Sequence, residues 1–382
     1  MDCKLFCTFA LMKVVYVFRS LAIWGGIERI IIDKANRLAG LGYDVSILTT
    51  DQGSHPVPYS LNPAVYIEDL GVGYHRRYYY SGLRRLWMEW RLKRLLVRRL
   101  RSKIEQQSPD VVVTVATDYA EFVVSAVGSK VAIIVESHSI FQRTFNQWRY
   151  LSCYHNWRRR RSLSSARAIV TLTESDAEEW RSRYPVVWCI PNMVSLNPTG
   201  RTGSHATHRV IFVGRFDDQK RPELAVSIWR RVQPLHPDWE LHIYGEGERR
   251  ESVAEVASHA TGVVIHEPTP HIFDAYCDSA FLILTSLYEP FGLVMPEAMS
   301  CGLPVVAFDC PYGPRDIITD GVDGFLVAEG DEQGFADSMA RLMNDAGLCH
   351  NMGSAAVRSA QRYDSTRIMP QWQKLFDLTL SC

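Results

Sequence analysis

The chain has 382 residues, enough for two domains, each with its own core. With 47% hydrophobic and 22% charged residues it is neither disordered nor fibrous, and with Lys+Arg and Asp+Glu equal at 42 it has no net field to gather nucleic acid. Its 9 cysteines are dispersed, with no CxxC pair and no zinc-ligand spacing, which fits reduced thiols in a cytosol.

The opening MDCKLFCTFALMKVVYVF holds a short apolar run, Leu5 to Met12, with no clear small-residue cleavage site. A strand pattern follows at once, so residues 1–11 read as an upstream extension or a misassigned start. No tract reads as a membrane span: the most apolar long one, near Val111 to Val135, is broken by Asp118, Glu121 and Lys130. Short β-branched runs at 13–18, 44–49, 110–115, 131–135, 168–172 and 186–190 alternate with helical stretches. The segment SLNPTGRTGSHATH, 195–208, is rich in Pro, Gly, Ser and Thr and reads as a linker. The alternation restarts at 209–213, 240–244, 262–266, 281–285, 304–308 and 324–327. Strand–helix–strand repetition predicts an α/β fold of two Rossmann-like domains, 12–195 and 209–364, facing a cleft. Ligands in such sheets bind beyond the C-terminal ends of the strands.

The loops after the strands therefore carry the candidates. After the first strand, Gly25 and Gly26 allow a tight turn before a helix whose N-terminal amides can face an anion; a plain turn is the other reading. The GxGxxG dinucleotide fingerprint is absent here. His138, just past the 131–135 strand, is either a solvated or structural imidazole or a group lining the ligand site. Arg215 and Lys220, in VGRFDDQKRPELAV, are either solvated cations or a diphosphate clamp, ahead of a helix opened by Pro222. Gly245 and Gly247, in IYGEGERR, allow a ring or ribose close to the backbone, or form a simple loop. In the stretch TSLYEPFGLVMPEAMSCGLPVVAF, Glu289 falls in a strand-to-helix loop and Glu297 eight residues later, in the second turn of a helix predicted over 292–300. Two carboxylates flanking a helix start suit hydroxyl pairs on a nucleotide sugar, with phosphate held between them.

On these residues the chain resembles the retaining glycosyltransferases of family 4, which have the GT-B fold, over essentially all of Met12 to Leu380. The most specific element is Glu289-x7-Glu297 within EPFGLVMPEAMSCGLPVV, supported by VGRF…QKRPELAV, CIPNMV, GEGE and GPRDIITDGVDGFLV. FDCPYGPRDII and GGIERI look closest to bacterial enzymes that build surface polysaccharides. The resemblance implies that Glu289 contacts hydroxyls of the transferred sugar and Glu297 the ribose. It implies that Arg215 and Lys220, with Gly214 and Gly245 nearby, neutralise the diphosphate leaving group. Backbone amides of Phe291, Gly292 and Leu293 would hold the sugar or its phosphate. Gly25 and Gly26 would approach the phosphate, and His138 would reach the donor sugar. A final helix, about 365–380, would cross back to the N-terminal domain. Ser139 stands where family members often have Asp, and Pro290 where they often have Gly.

The activity so implied is metal-independent transfer of a hexose-type sugar, with retention, from a nucleotide diphosphate sugar, UDP by default, to a glycan or lipid-linked acceptor. No cofactor is implied beyond the donor, and there is no DxD triplet to hold a metal. An epimerase of the same fold and a non-catalytic partner subunit are the rival readings; the presence of Arg215, Lys220, Glu289 and Glu297 argues for activity. Between Arg76 and Lys103 there are 11 Lys/Arg against one acid, Glu89, interleaved with Tyr78, Tyr79, Tyr80, Trp87 and Trp90. A second basic cluster is Arg158 to Arg161. These runs are either solvated helix faces or a peripheral contact with an anionic membrane, consistent with a cytoplasmic protein on the inner face. Neutral overall charge argues against a nucleic-acid partner.

Overall fold

A computed structural model of the chain describes residues 12–115, 117, 119–128, 130–145, 152–203 and 207–380. Residues 1–11, read above as an extension, lie outside them. The chain folds as two compact units, each built on one parallel sheet.

The first unit takes in residues up to 171, then 177–190 and the C-terminal stretch from 369. Its strands are β1 (Lys13–Phe18), β2 (Asp44–Thr49), β3 (Tyr66–Asp69), β4 (Val111–Val115), β5 (Ala132–Glu136), β6 (Ala168–Thr171) and β7 (Val187–Cys189). They lie in the order β3-β2-β1-β4-β5-β6-β7, all parallel. Val14 stands opposite Val45 on one side and Val111 on the other. The run Val-Val-Val-Thr-Val of β4 is buried throughout, as required of a parallel strand covered on both faces. β3 is an edge strand absent from the sequence reading: its Tyr-Ile-Glu-Asp carries no apolar run, and pairing with β2 holds it. β5 runs to Glu136, one residue past the expected end.

The second unit takes in residues 172–176 and 191–368. Its strands are β8 (Arg209–Val213), β9 (Glu240–Tyr244), β10 (Val263–His266), β11 (Phe281–Leu284), β12 (Val305–Phe308) and β13 (Gly324–Val327), in the order β10-β9-β8-β11-β12-β13. Alternate side chains feed two cores. Phe212, Ile243, Phe281 and Ile283 pack with Trp229 and Phe335 on one face; Ile211, Leu282 and Ala307 pack with Met295 and Met299 on the other. β12 begins at Val305 rather than 304, since Pro304 has no N–H to give the ladder. Residues 195–203 of the stretch read as a linker pack onto this unit. The amide of Asn197 bonds Ser300 Oγ at 3.0 Å, that of Gly203 bonds the Cys301 carbonyl at 2.6 Å, and Arg201 pairs with Asp278 at 2.6 Å. Asn197 and Arg201 bond neighbouring groups of this unit, which composition alone does not reveal.

In both units the strand order reverses, between β1 and β4 and between β8 and β11. The last helix, Ser365–Leu380, starts in the second unit and from residue 369 belongs to the first. There it buries Trp372, Leu375 and Phe376, with the Phe376 ring 6.1 Å from that of Tyr43 and the Trp372 ring 4.6 Å from the ammonium of Lys34. Trp372→Ala should therefore cost about 3–5 kcal/mol, and Trp372→Phe clearly less. The check is the midpoint of urea unfolding followed by circular dichroism, and equal losses in the two variants would show that ring packing is not what holds this helix.

Candidate active site

In the second unit, the loop after β8 is built around buried Phe216, whose amide bonds the Glu246 carbonyl at 2.8 Å. Asp217 organises the loop: one carboxylate oxygen accepts the Lys220 amide at 2.9 Å, the other accepts Arg215 Nε at 2.8 Å. Arg221 has a left-handed backbone, φ 51°, just ahead of the helix Pro222–Val232. Its guanidinium donates to the carbonyls of Thr285, at 2.7 Å, and Ser286, at 3.1 Å. Thr285 returns the contact, its hydroxyl donating to the carbonyls of Lys220 and Arg221. The loops after β8 and β11 are thus tied together at the strand-order reversal.

Those ties bring Lys220 and Glu289 into contact. The ammonium bonds Glu289 Oε1, and Ser286 Oγ donates to the same oxygen at 2.7 Å. Glu289 is only 3% exposed, while the Lys220 side chain is 12% exposed. Oε2 of Glu289 has no partner among the described residues. It faces Gly292, where an added Cβ would lie 3.4 Å away. Gly292 has φ +89°, which delays the helix to Val294–Ser300, two residues later than expected. The amides of Phe291, Gly292 and Leu293 have no hydrogen-bond partner among the described residues. A bare acceptor and bare donors therefore stand together, the combination a sugar hydroxyl needs. Glu297, within that helix, is buried, and the Tyr276 hydroxyl donates to its Oε2 at 3.4 Å.

Arg215 belongs to the same loop, but its side chain is 69% exposed and held by Asp217. Gly214 donates its amide to the Tyr244 carbonyl at 3.0 Å. At Gly245 an added Cβ would overlap the Gly214 carbonyl, and at Gly247 that of Phe216. These glycines are required by the approach of another part of the backbone, a closer partner than the ring or ribose anticipated from sequence.

In the first unit, Gly25 has an extended backbone at the start of the helix Gly26–Gly40, and Tyr59 donates its hydroxyl to the Gly25 carbonyl at 3.1 Å. The Glu28 carboxylate folds against Gly25, where a Cβ would overlap it. Burial pushes the Glu28 carboxyl above the usual range, against its own backbone amide and Arg19. His138 follows β5; its Nε2 lies 3.0 Å from Oε2 of Glu136, which also takes the Lys34 ammonium. Burial lowers the proton affinity of His138 despite Glu136. Burial also works against the charge on Glu136, but Lys34 and His138 hold it below the usual carboxylate range.

Sequence reasoning missed Glu28, Lys34 and Glu136. Lys34 had a signal: it lies on the stripe of Ile30, Ile31, Ala35 and Leu38 that the helix buries. Glu136 closes the run Ala-Ile-Ile-Val-Glu, where a charge ends an apolar strand.

Two family models match adjoining parts of the chain. Glycosyltransferase Family 4 matches residues 24–197 and Glycosyl transferases group 1 matches residues 207–345. An exopolysaccharide phosphotransferase of Streptomyces coelicolor is 31% identical over 223 residues, 55% of this chain but only 23% of that protein. An uncharacterized glycosyltransferase of Haemophilus influenzae is 25% identical over 94% of this chain and 99% of its own length. Among solved structures, Staphylococcus aureus TarM in complex with fondaparinux, alpha-GlcNAc-glycerol and UDP matches with a TM-score of 0.77 and 15% identity, over 96% of this chain and 100% of that one.

The Lys220–Glu289 pair gives a direct expectation. Lys220→Met or Glu289→Gln, each leaving one charge without its partner, should cost about 3 kcal/mol, while the double change recovers much of the loss. Differential scanning calorimetry of the three variants reads this; losses that simply add would mean the two side chains are not coupled.

Proposed function

The chain belongs to the family 4 glycosyltransferases, and on that footing we propose that it moves a hexose-type sugar from a nucleotide diphosphate sugar to a glycan or lipid-linked acceptor in polysaccharide biosynthesis. The observation that carries the proposal is the group at the β8/β11 reversal: Lys220 on Oε1 of Glu289, with Oε2 turned to Gly292, in a loop whose amides 291–293 have no partner among the described residues. Oε2 accepts a sugar hydroxyl, and the amides donate to its oxygens or to a donor phosphate. Lys220 and Arg215 face the charge that builds on the diphosphate as the anomeric C–O bond breaks, in place of a metal ion. Glu297 binds the ribose hydroxyls. UDP is the proposed carrier, in keeping with the UDP bound to TarM.

Retention of the anomeric configuration is part of the proposal. Glu289 is tied on one oxygen by Lys220 and Ser286, an arrangement suited to binding hydroxyls more than to forming a glycosyl ester. Attack from the face the diphosphate leaves, with a phosphate oxygen taking the acceptor's proton, accounts for retention without a second nucleophile. His138 is the first unit's proposed contact for the donor sugar.

The exposed basic face supports a second part of the reading. The helix Gly82–Gln107 buries Leu92, Leu96, Leu100 and Ile104, and leaves Leu83, Leu86, Trp87 and Trp90 exposed. The Arg94 guanidinium lies 4.0 Å over the Trp90 ring. Arg91, Arg94, Arg98, Arg101 and Arg158 line a groove of about 820 Å³ beside it. Aromatic side chains among arginines suit the interface of an anionic bilayer, and we propose peripheral attachment to the inner membrane face. No helix among the described residues is long and apolar enough to cross a membrane.

A screen of UDP- and GDP-sugars with and without EDTA tests the first part. Wild type should release nucleotide slowly without acceptor, indifferent to EDTA, and Glu297→Gln should weaken donor binding about ten- to a hundredfold through a lost charge-assisted bond. An inverted product by NMR, or turnover abolished by EDTA, would sink the mechanism. Co-sedimentation with phosphatidylglycerol vesicles tests the second. Binding should fall steeply as salt rises and drop further in Trp87→Ala/Trp90→Ala; no binding at low salt rules it out.

A further inference from the structure

Three titratable side chains meet inside the first unit. Lys34 is 2% exposed, Glu136 is 0% exposed, and His138 keeps 5% of its side-chain surface. Both other groups converge on Oε2 of Glu136: the Lys34 ammonium and His138 Nε2. Oε1 of Glu136 and the hydroxyl of Tyr16 are buried with no hydrogen-bond partner among the described residues. The rings of Trp372 and Tyr16 lie 4.6 Å and 6.0 Å from the Lys34 ammonium. A sealed ion pair of this kind contributes little net stability compared with apolar packing, so its chemistry calls for another account.

That chemistry fixes the imidazole. Lys34 keeps Glu136 ionised, and an ionised carboxylate only accepts hydrogen bonds. Nε2 of His138 must then be the donor. Burial, with the Lys34 charge nearby, works against a second proton on the ring in spite of Glu136. The neutral ring bears its lone pair on Nδ1, which has no partner among the described residues. We propose that Glu136, backed by Lys34, is a positioning residue that holds His138 as the Nε2–H tautomer, so that Nδ1 accepts a hydrogen bond from a hydroxyl of the donor sugar. The proposal rests on the reading of His138 given above and adds which nitrogen meets the sugar, in what state, and what sets it. Ser139, next in the chain, gives the ring no carboxylate; Glu136, two residues before it, does.

The test uses the full chain labelled with ¹⁵N-histidine, with His138→Gln to assign the signal. Long-range ¹H–¹⁵N spectra at neutral pH should show His138 protonated on Nε2 and bare on Nδ1. Glu136→Gln alone strands a buried ammonium and can unfold the unit, so the informative variants are double. Lys34→Met/Glu136→Leu removes the acceptor; Lys34→Met/Glu136→Gln keeps an amide oxygen that can accept. With circular dichroism and melting unchanged, the first should mix the tautomers and lower kcat about tenfold or more, with donor KM changed far less. The second should fall between it and wild type. A wild-type ring protonated on Nδ1, or a folded Met/Leu variant that keeps both the wild-type tautomer and kcat, would overturn the proposal. If wild type turns over no nucleotide sugar, the functional reading and the sugar contact fall together, while the spectra still decide what Glu136 does to the ring.

Discussion

A parallel strand covered by helices on both faces has no contact with water along its length, so a polar side chain can leave the sheet only at a strand's end. The rest of this structure follows from that constraint. β4 is buried at all five positions, and β11 at all four. Charge gathers at strand ends: Lys13, Asp44, Arg209 and Glu240 open β1, β2, β8 and β9, while at the C-terminal edges Glu136 closes β5 and Glu289 stands just beyond β11. In both sheets the strand order also reverses, so the loops on that edge diverge and leave room for a ligand.

Each unit then meets the same difficulty, a carboxylate placed where water is scarce, with a lysine drawn from the segment after its first strand. Lys34 serves Glu136, and Lys220 serves Glu289. The two pairs differ in what surrounds them. Lys34 is closed in by Trp372 and Tyr16, so its charge acts on the groups already beside it. Lys220 keeps part of its surface and stands next to an exposed arginine, so its field remains open to another anion. In the roles proposed, the sealed pair orients and the open pair binds. The return of the C-terminal helix to the first unit has a chemical consequence here, since it is Trp372 that completes the enclosure of Lys34.

How much of this could be read from sequence depended on whether a residue's neighbours were local. Strands that are apolar runs were legible, as were the glutamates eight residues apart and the cations after β8, because spacing alone places them on one loop or one helix. The edge strand β3 was not: its Tyr-Ile-Glu-Asp gains strand character only from β2 beside it. Glycine marks a tight place without saying what is tight. Gly245 suggested a ligand near the backbone, yet its neighbour is the carbonyl of Gly214, 31 residues earlier. The Lys34–Glu136 pair joins residues 102 apart, and nothing short of the folded sheet brings them together. The visible trace was a lysine on an apolar stripe, which in isolation also suits a long side chain reaching out to solvent.

The site in the second unit has a polarity built into one carboxylate. Oε1 of Glu289 takes both the Lys220 ammonium and the Ser286 hydroxyl, which leaves Oε2 as this carboxylate's oxygen without a partner among the described residues. Oε2 lies beside Gly292, and Gly292 is left-handed with its amide bare. Any side chain at that position would adopt a strained backbone and stand between the carboxylate and whatever it binds. A neutral hydroxyl can donate to Oε2 and accept from the amide at once; a phosphate oxygen can only accept, and is repelled by the carboxylate. Phosphate is instead favoured toward Lys220 and Arg215. On the proposed function, the arrangement would sort the two ends of a sugar phosphate before any bond breaks: hydroxyls to the carboxylate, negative charge to the cations. That same sorting would stabilise a departing diphosphate, because the cations are already in place when its charge appears.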